Sequence, residues 1–363
     1  MHIEWIALTD YRNFRTLSYT PAPNLNVLTG LNAQGKTNLL EGLAVLVVGR
    51  SFRGAKSADL PRWDAAGAVL VGEIRRGELS RVLRRTVSQC REDGAWAIAG
   101  EGCPWGRVIA FGWQDLAILS GAPEARRNFM DGFSARLFPA HASALARYRR
   151  ILARRNRLLE TAHDGASLRG RLQPWNEQLA RVGMEVVGRR REAVSALQKE
   201  VDRLYPELGG LGTARLEYRS GLEEGAGEDG FLRALEARVG DEVRRGQTLT
   251  GPHRDDLLIE VDGRDMRVVG SRGQQRLLAL LLRLAEAGPV REAVGSTPIL
   301  LLDDALSEID PVVQARVLGH VARAGQVFLT TAAAEMPSVM AEWWEVKGGR
   351  VSEMGFARAR GVA

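Results

Sequence analysis

Residues 30–37 have the types and spacing of a phosphate-binding loop. They read Gly-Leu-Asn-Ala-Gln-Gly-Lys-Thr and fit the pattern G-x-x-x-x-G-K-[ST]. In this pattern backbone N–H groups turn towards phosphate oxygens, the lysine reaches the β- and γ-phosphates, and the threonine hydroxyl ligates Mg²⁺. A Gly-rich turn before an ordinary helix is the alternative interpretation. The predicted ATP-binding residues are Gly30, Leu31, Asn32, Ala33, Gln34, Gly35, Lys36 and Thr37.

A pair of carboxylates supplies the second half of such a site. Asp303 and Asp304 follow the wholly apolar run 299–302, and an unpaired carboxylate at the end of a buried strand is costly unless it is used. We predict that Asp303 holds Mg²⁺ together with Thr37, and that Asp304 orients the attacking water. Two solvated turn acids are the alternative. The catalytic residues would then include Lys36, Asp303 and Asp304.

A second candidate anion site opens the helix predicted after residue 273. Ser271, Gly273 and Gln274 stand at its N-terminus, where free N–H groups attract anions. Because the chain already has one phosphate loop, two half-sites suggest a head-to-tail homodimer in which this segment caps the partner's ATP. The alternative is a plain serine N-cap.

Basic residues form two further groups. Arg12 and Asn13 occupy a turn between predicted strands and lie near the nucleotide in the functional interpretation, although an ordinary polar turn is equally consistent. Arginines also dominate residues 124–160, which read as helices, and we predict a salt-dependent DNA surface there rather than a merely solvated face. The predicted DNA contacts are Arg126, Arg127, Arg147, Arg150, Arg154 and Arg155.

The elements that must position these residues predict an α/β protein. Short strands at 25–28, 108–111, 299–302 and 326–330 suit a buried sheet, and pieces at 68–74, 79–87 and 96–98 suit an antiparallel meander. We also predict strands at 257–261 and 267–269, a surface loop at 223–230 and a frayed tail over 347–363. Since 267 residues separate Lys36 from Asp303, we predict a large insert. The predicted domains are a head of residues 1–122 and 248–363 with a mixed sheet, and an inserted helical lobe of residues 123–247.

Composition narrows the class of protein. The 363 residues carry a formal net charge of +6 with 45% hydrophobic residues, as in a soluble globular chain that could bind an acidic partner. Only Cys90 and Cys103 are present, too few for a disulfide framework or a cysteine metal site. With no apolar run long enough for a bilayer and no signal peptide, we expect no membrane association and a cytoplasmic location.

These motifs together resemble the ABC-type ATPase heads of the SMC-like group, and within it the RecF family. The resemblance covers nearly the whole chain. It is most specific in Thr-Gly-Pro-His-Arg-Asp-Asp-Leu at 250–257, Ser-Arg-Gly-Gln-Gln-Arg at 271–276 and Leu-Asp-Asp-Ala-Leu-Ser-Glu-Ile-Asp at 302–310. It implies that Ser307, Glu308 and Asp310 form a dimer-facing loop and that Gln114 senses the γ-phosphate.

The resemblance further implies an ATP-driven clamp on gapped or junction DNA, with ATP and Mg²⁺ as cofactors. Such a clamp would act with RecR and RecO to load RecA, and would support replication and the SOS response. Asp304 is shorter than the glutamate of fast ABC enzymes, and residues 330–334 contain no histidine switch. We therefore expect slow hydrolysis stimulated by DNA. The competing interpretations are a nuclease-associated ATPase, a transporter ATPase subunit and a non-hydrolysing ATP-gated scaffold.

Overall fold

A computed structural model describes residues 1–90, 94–161, 165–332 and 340–356. The chain forms two compact units. The first comprises Met1–Leu116, Arg203–Leu211 and Ser271–Ala363, and the second comprises Ala117–Asp202 and Gly212–Gly270. These bounds differ from the predicted domains chiefly at 248–270, which group with the helical unit because a strand in this segment pairs with another strand of that unit.

The strands follow the apolar runs of the sequence. They are β1 (His2–Tyr11), β2 (Phe14–Tyr19), β3 (Leu25–Thr29), β4 (Gly67–Arg76), β5 (Leu79–Gln89), β6 (Trp96–Ala99), β7 (Val108–Phe111), β8 (Ala214–Arg219), β9 (Asp256–Val261), β10 (Arg264–Asp265), β11 (Ile299–Leu302), β12 (Val327–Thr330), β13 (Glu342–Lys347) and β14 (Arg350–Phe356).

The helices are concentrated in the second unit. They are α1 (Lys36–Val48), α2 (Ala117–Ser120), α3 (Pro123–Leu137), α4 (His141–Glu160), α5 (Gly165–Glu207), α6 (Gly227–Arg245), α7 (Met266–Val269), α8 (Arg272–Ala285), α9 (Ala287–Val294) and α10 (Pro311–Val321). Within the described residues, no helix combines the length and apolar character that a bilayer span requires.

Two sheets build the first unit. One is antiparallel, with strand order β2-β1-β4-β5-β6, and contains the predicted meander. The other has the order β14-β13-β3-β12-β11-β7 and is parallel from β13 to β7. Helix α1 is apolar on nearly every side and shares one buried core with strands of both sheets, as expected of a helix enclosed by sheets.

Parallel pairing sets the position of the site. Strands β3, β12 and β11 run side by side, so their carboxyl ends lie along one edge of the sheet. Side chains and loops that follow these ends therefore meet there, which is where open α/β sheets bind ligands. The phosphate loop follows β3, and Asp303 and Asp304 follow β11.

The second unit packs helices α2–α7 with the sheet β10-β9-β8. Its main core joins Tyr148 of α4, Leu179 and Val186 of α5, and Phe231 of α6. The strand predicted at 267–269 is wrong: the segment is the short helix α7, because the Asp265 carboxylate accepts a hydrogen bond from the Arg267 N–H and caps a helical turn.

Two other expectations differ from the structure. The loop predicted at 223–230 ends earlier, because α6 begins at Gly227. The tail predicted to be frayed from 347 onwards contains β14, which pairs antiparallel with β13. Residues 357–363 of that tail lie outside the described residues.

Candidate nucleotide-binding site

The phosphate loop has a backbone that favours glycine at two positions. Gly30 and Gly35 have φ angles of +138° and +110°, in the region that favours glycine. A Cβ atom at Gly35 would collide with the carboxamide of Asn13, and one at Gly30 would collide with the backbone oxygen of Val346. The loop is therefore held tightly by its neighbours on both sides.

Lys36 lies across this loop. Its ammonium donates to the backbone oxygens of Gly30, at 2.5 Å, and of Leu31, at 3.0 Å. Partial burial lowers the pKa of Lys36, and the charges of Asp303 and Asp304 oppose that shift. The N-terminus of α1 and the Lys36 ammonium thus belong to the same loop, an arrangement suited to phosphate oxygens.

Thr37 and Asp303 lie in direct contact across the edge of the sheet. The Thr37 hydroxyl lies 2.8 and 2.9 Å from the two carboxylate oxygens of Asp303. The Thr330 hydroxyl donates to the same carboxylate at 2.8 Å and accepts from the Asp304 N–H at 2.8 Å. Burial raises the pKa of Asp303, and the hydrogen bonds from Thr330 and Thr37 oppose that shift.

This donor set fits a magnesium ion held jointly with phosphates. In the described ranges, no cluster of three or more His, Cys, Asp or Glu side chains forms a metal site of its own. One hydroxyl and one carboxylate are instead adjacent at the phosphate loop, and Mg²⁺ is usually bound by one or two carboxylates together with nucleotide phosphates. Thr37 and Asp303 are thus the side chains that would hold it.

A cavity of about 600 Å³ surrounds these groups, and we call it the phosphate-loop cavity. Asp304 is exposed at its mouth, with a φ of +50°. The lining residues are Asn32, Ala33, Gln34, Gly35, Lys36, Thr37, Asn38, Arg53, Trp113, Asp303, Asp304, Ser307, Thr330, Thr331 and Ala332.

A second cavity of about 830 Å³ shares Arg53 and Trp113 with the first. We call it the tryptophan cavity, since Trp63, Trp96 and Trp113 all line it. Gln114 lines this second cavity and not the phosphate-loop cavity. Its neighbour Trp113 lines both cavities, and the γ-phosphate sensor role of Gln114 stays a prediction.

Arg12 and Asn13 take different places beside the loop. The Arg12 guanidinium donates to both oxygens of the buried Glu41 carboxylate, at 2.7 and 2.9 Å, and lines the tryptophan cavity. Asn13 donates to the backbone oxygen of Gln34 at 3.0 Å. Asn13 thus supports the phosphate loop itself, whereas Arg12 is held by a carboxylate of α1.

The segment 271–274 forms the predicted helix start. Ser271 caps α8, accepting from the Gln274 N–H at 3.3 Å, while the Gln274 side chain accepts from the Ser271 N–H at 2.9 Å. Ser271 and Gln274 are exposed. Among the described residues that line the two cavities, none belongs to this segment.

Arg276, on the first turns of α8, connects that helix to Asp304 and Ser307. Its guanidinium donates to the backbone oxygen of Asp304 and, at 2.5 Å, to the Ser307 hydroxyl. Ser307 in turn donates to the Asp304 carboxylate at 2.8 Å.

Glu308 is exposed with a φ of +59°, and Asp310 caps α10. Arg276 and Thr330 were missed as site residues, although Thr330 ends a parallel strand, which is a usable signal.

The structure contradicts two of the predicted DNA contacts. Arg126 is buried and donates to both oxygens of Asp256, at 2.6 and 3.0 Å. Arg155 is fully buried and donates to Asn176, Thr248 and Glu242 at 2.6–2.7 Å. Both guanidiniums are used inside the second unit, so neither is available to DNA.

The remaining arginines of that set are accessible to different degrees. Arg127 is half-buried and donates to the backbone oxygen of Asp255 at 3.0 Å. Arg147, Arg150 and Arg154 are exposed along α4. The candidate DNA residues of the second unit are therefore chiefly these three.

Known proteins identify the family. The DNA replication and repair protein RecF of Heliobacterium modesticaldum is 33% identical over 352 residues, covering 91% of this chain and 92% of that protein. The chain belongs to the RecF family. The RecF of Acidothermus cellulolyticus is 36% identical over 352 residues, covering 92% of this chain and 95% of its own length. No protein-family model matches the chain.

Solved structures agree with membership of the RecF family. A structure of the recombination mediator protein RecF with ATP, in the RecFOR pathway, superposes with a TM-score of 0.84 at 25% identity, and the match covers 98% of each chain. The Smc head domain of Pyrococcus furiosus has a TM-score of 0.55 at 17% identity, covering 97% of this chain and 96% of that one. The predicted RecF-family membership and the α/β ATPase-head fold are thus confirmed.

Proposed function

We propose that this RecF-family protein is an ATP-dependent, DNA-binding clamp of recombinational repair. The observation that carries the proposal is the contact between the Thr37 hydroxyl and the Asp303 carboxylate, at 2.8 and 2.9 Å, beside Lys36. A hydroxyl, a carboxylate and an ammonium on one phosphate loop are the groups that bind a nucleoside triphosphate with Mg²⁺.

ATP is the proposed ligand of the two adjoining cavities. The phosphates would lie in the phosphate-loop cavity, against the N–H groups of residues 33–37 and the Lys36 ammonium. The base would lie towards the tryptophan cavity, whose exposed Trp63 and Trp113 offer aromatic faces for stacking. Mg²⁺, when bound through Thr37 and Asp303, would neutralise charge on the β- and γ-phosphates.

Hydrolysis would depend on Asp304. Its carboxylate accepts from Ser307 at 2.8 Å and stands at the cavity mouth, where it can hold a water for attack. The same carboxylate lies 3.6 Å from the Arg276 guanidinium, and an aspartate side chain is one methylene shorter than the glutamate of fast ABC enzymes, so it holds that water less closely. We therefore propose slow hydrolysis stimulated by DNA, with ATP binding as the step that closes the clamp.

Closure is proposed to be homodimerisation. The segment 271–274 is a helix N-terminus, with Ser271 and Gln274 exposed, that lines neither cavity of its own chain, so Ser271, Gly273 and Gln274 are accessible to cap the ATP of a second copy. Ser307, Glu308 and Asp310 would face the same partner. Exposed arginines of the second unit, with Arg147, Arg150 and Arg154 foremost, would contact DNA phosphates.

The proposed setting is the loading of RecA at gapped or junction DNA in the cytoplasm. There the clamp would act with RecR and RecO and would support replication and the SOS response. The support is family membership together with the pathway named for the solved RecF structure.

Sedimentation tests the clamp. Wild type and Lys36→Met would be compared with and without ATP, Mg²⁺ and gapped DNA, with Lys199→Met, an exposed lysine of α5, as matched control. We expect wild type and the control to dimerise only with ATP and Lys36→Met to stay monomeric. Phosphate release measured in the same samples should be slow and should rise with DNA. A dimer of equal strength without ATP would contradict the proposal. If no phosphate were released, the protein would be an ATP-gated scaffold and not an ATPase.

A further inference from the structure

A groove runs between helices α4 and α5 in the second unit. Its volume is about 360 Å³, and it is separate from the nucleotide-binding site of the first unit. We call it the α4–α5 groove. Its lining residues are Arg147, Arg150, Ile151, Arg154, Trp175, Gln178, Arg181, Val182 and Glu185.

The groove is strongly positive. Four of its lining residues are arginines and one is a glutamate. Glu185 pairs with Arg147 and with Arg189, each at 3.2 Å, and the Arg147 side chain is 51% exposed, so the shared pair contributes little and leaves the Arg147 guanidinium accessible. Arg181 lies 3.9 Å from the exposed Glu228, and the ion pairs of the described residues on α4 include none with Arg150 or Arg154. The net excess of positive charge favours an anionic ligand.

The arginines of α4 follow the helix axis. Arg147, Arg150 and Arg154 are three and four residues apart, so they share one face and are offset along the axis by about 4.5 and 6 Å, at 1.5 Å per residue. A row of guanidiniums on one face suits a linear polyanion better than a single compact anion.

The groove also offers surfaces that a simple phosphate track would not need. The Arg154 guanidinium lies over the Trp175 ring, 5.5 Å from its centroid. Ile151 and Val182 are apolar, and Gln178 adds an amide that can both donate and accept. Nucleobases stack on aromatic rings and on guanidinium planes, and amides can bond to their edges.

We propose that the α4–α5 groove binds single-stranded DNA, with phosphates on Arg147 and Arg150 and a base stacked at the Arg154–Trp175 pair. The proposal rests on the DNA-binding function proposed above and specifies the form of DNA. A duplex keeps its bases stacked inside, so it would use the arginines and leave the indole without a role. An acidic peptide would likewise satisfy the arginines but not the aromatic surface.

Fluorescence anisotropy with a labelled oligothymidine and a labelled duplex of equal length tests the assignment, without ATP. Trp175→Leu should weaken single-strand binding about tenfold, as the loss of one stacking contact implies, and should leave duplex binding within twofold. Arg150→Gln should weaken binding to both DNAs and lower the salt slope by about one. Trp175→Phe, which keeps an aromatic ring, should restore most of the single-strand affinity and controls for misfolding.

Arg149→Gln is the matched control. Arg149 is exposed on another face of α4 and is not a lining residue of the groove, so its substitution should change neither affinity by more than twofold. Equal loss on duplex and single strand with Trp175→Leu would overturn base stacking. No loss with either groove variant would overturn the site, and so would a Glu-rich peptide that binds the groove while oligothymidine does not.

The experiment is also independent of the clamp. Groove binding should persist in Lys36→Met, because the groove belongs to the second unit and needs no nucleotide. If ATP-driven dimerisation fails but Trp175→Leu still weakens single-strand binding, the clamp is wrong and the groove stands. If dimerisation holds and the groove variants have no effect, the groove alone is wrong.

Discussion

The phosphate-loop cavity and the α4–α5 groove, one in each unit, are built from different parts of the chain. The cavity takes seven of its lining residues from the contiguous segment 32–38 and adds residues that follow β11 and β12. The groove takes its lining from two helices, at positions 147–154 and 175–185. Backbone conformation defines the first site, whereas helix faces define the second.

This difference decides which substitutions each site tolerates. In the cavity, Gly30 and Gly35 are fixed by their φ angles and by neighbours that leave no room for a Cβ atom. In the second unit, adjacent residues of one type have opposite roles, since Arg154 is exposed in the groove and Arg155 is fully buried. Two kinds of substitution test this comparison. One changes either of two neighbouring arginines, and the other adds a single methyl group to a glycine.

The largest effect is expected from the buried arginine. Arg155→Met would leave the Glu242 carboxylate buried without its partner, and breaking a buried pair in this way costs about 3–5 kcal/mol. Urea unfolding should show this loss of the free energy of unfolding. Arg154→Met should leave the unfolding midpoint unchanged while weakening single-strand binding. If the two variants were equally stable, the assignment of Arg155 to the core would be wrong.

Gly35→Ala tests the backbone-defined site. The new methyl group would meet the Asn13 carboxamide at a φ of +110°, and such strain costs about 1–3 kcal/mol. We expect ATP affinity to fall about 5- to 140-fold, since a factor of ten corresponds to about 1.4 kcal/mol. Isothermal titration would measure it.

Gly77→Ala is the matched control for that variant. Gly77 also has a positive φ, +56°, but no atom lies within 4 Å of a Cβ there. It should keep wild-type ATP affinity. Asn13→Ala alone loses the hydrogen bond to Gln34 and serves as the reference for the double variant. Adding Gly35→Ala to it should cost less affinity than Gly35→Ala costs in wild type, because the steric contact is gone and only the backbone strain remains. Full affinity in Gly35→Ala alone would show that the loop is not constrained as described.

The smallest effect is expected at Arg276, whose guanidinium holds the backbone of Asp304 and the Ser307 hydroxyl. Arg276→Met should lower the hydrolysis rate about tenfold, because small displacements of a catalytic group cost this much or more. ATP affinity should stay within twofold, and Arg276→Lys should restore part of the rate. A parallel fall in affinity and rate would indicate general loosening instead of a positioning role.

Sequence patterns predicted more of the phosphate-loop cavity than of the α4–α5 groove. Contiguity made residues 30–37 recognisable, and the apolar strand before Asp303 predicted that this carboxylate would meet the loop, as it does with Thr37. The burial of Arg126 and Arg155 could not be predicted from the sequence in the same way. Their burial depends on acceptors such as Asp256 and Glu242, which lie 130 and 87 residues away in sequence.

Local sequence patterns also predicted the wrong element where a capping side chain determines the backbone conformation. Residues 267–269 are apolar enough for a strand, yet the Asp265 cap starts a helix there. Trp175 carried no signal of its own, because a single tryptophan in a long amphipathic helix is usually core. Its relation to Arg154 required the packing of α4 on α5.

The phosphate loop has a consequence for protein synthesis. Its first glycine packs against the backbone of Val346, and the Gln34 side chain accepts from the Gly348 N–H at 2.8 Å. Strand β3, from which the loop emerges, is flanked by β12 and β13. A nascent chain therefore cannot complete this pocket while the ribosome still holds the residues near 350. ATP can bind and stabilise only those chains whose translation has passed that point.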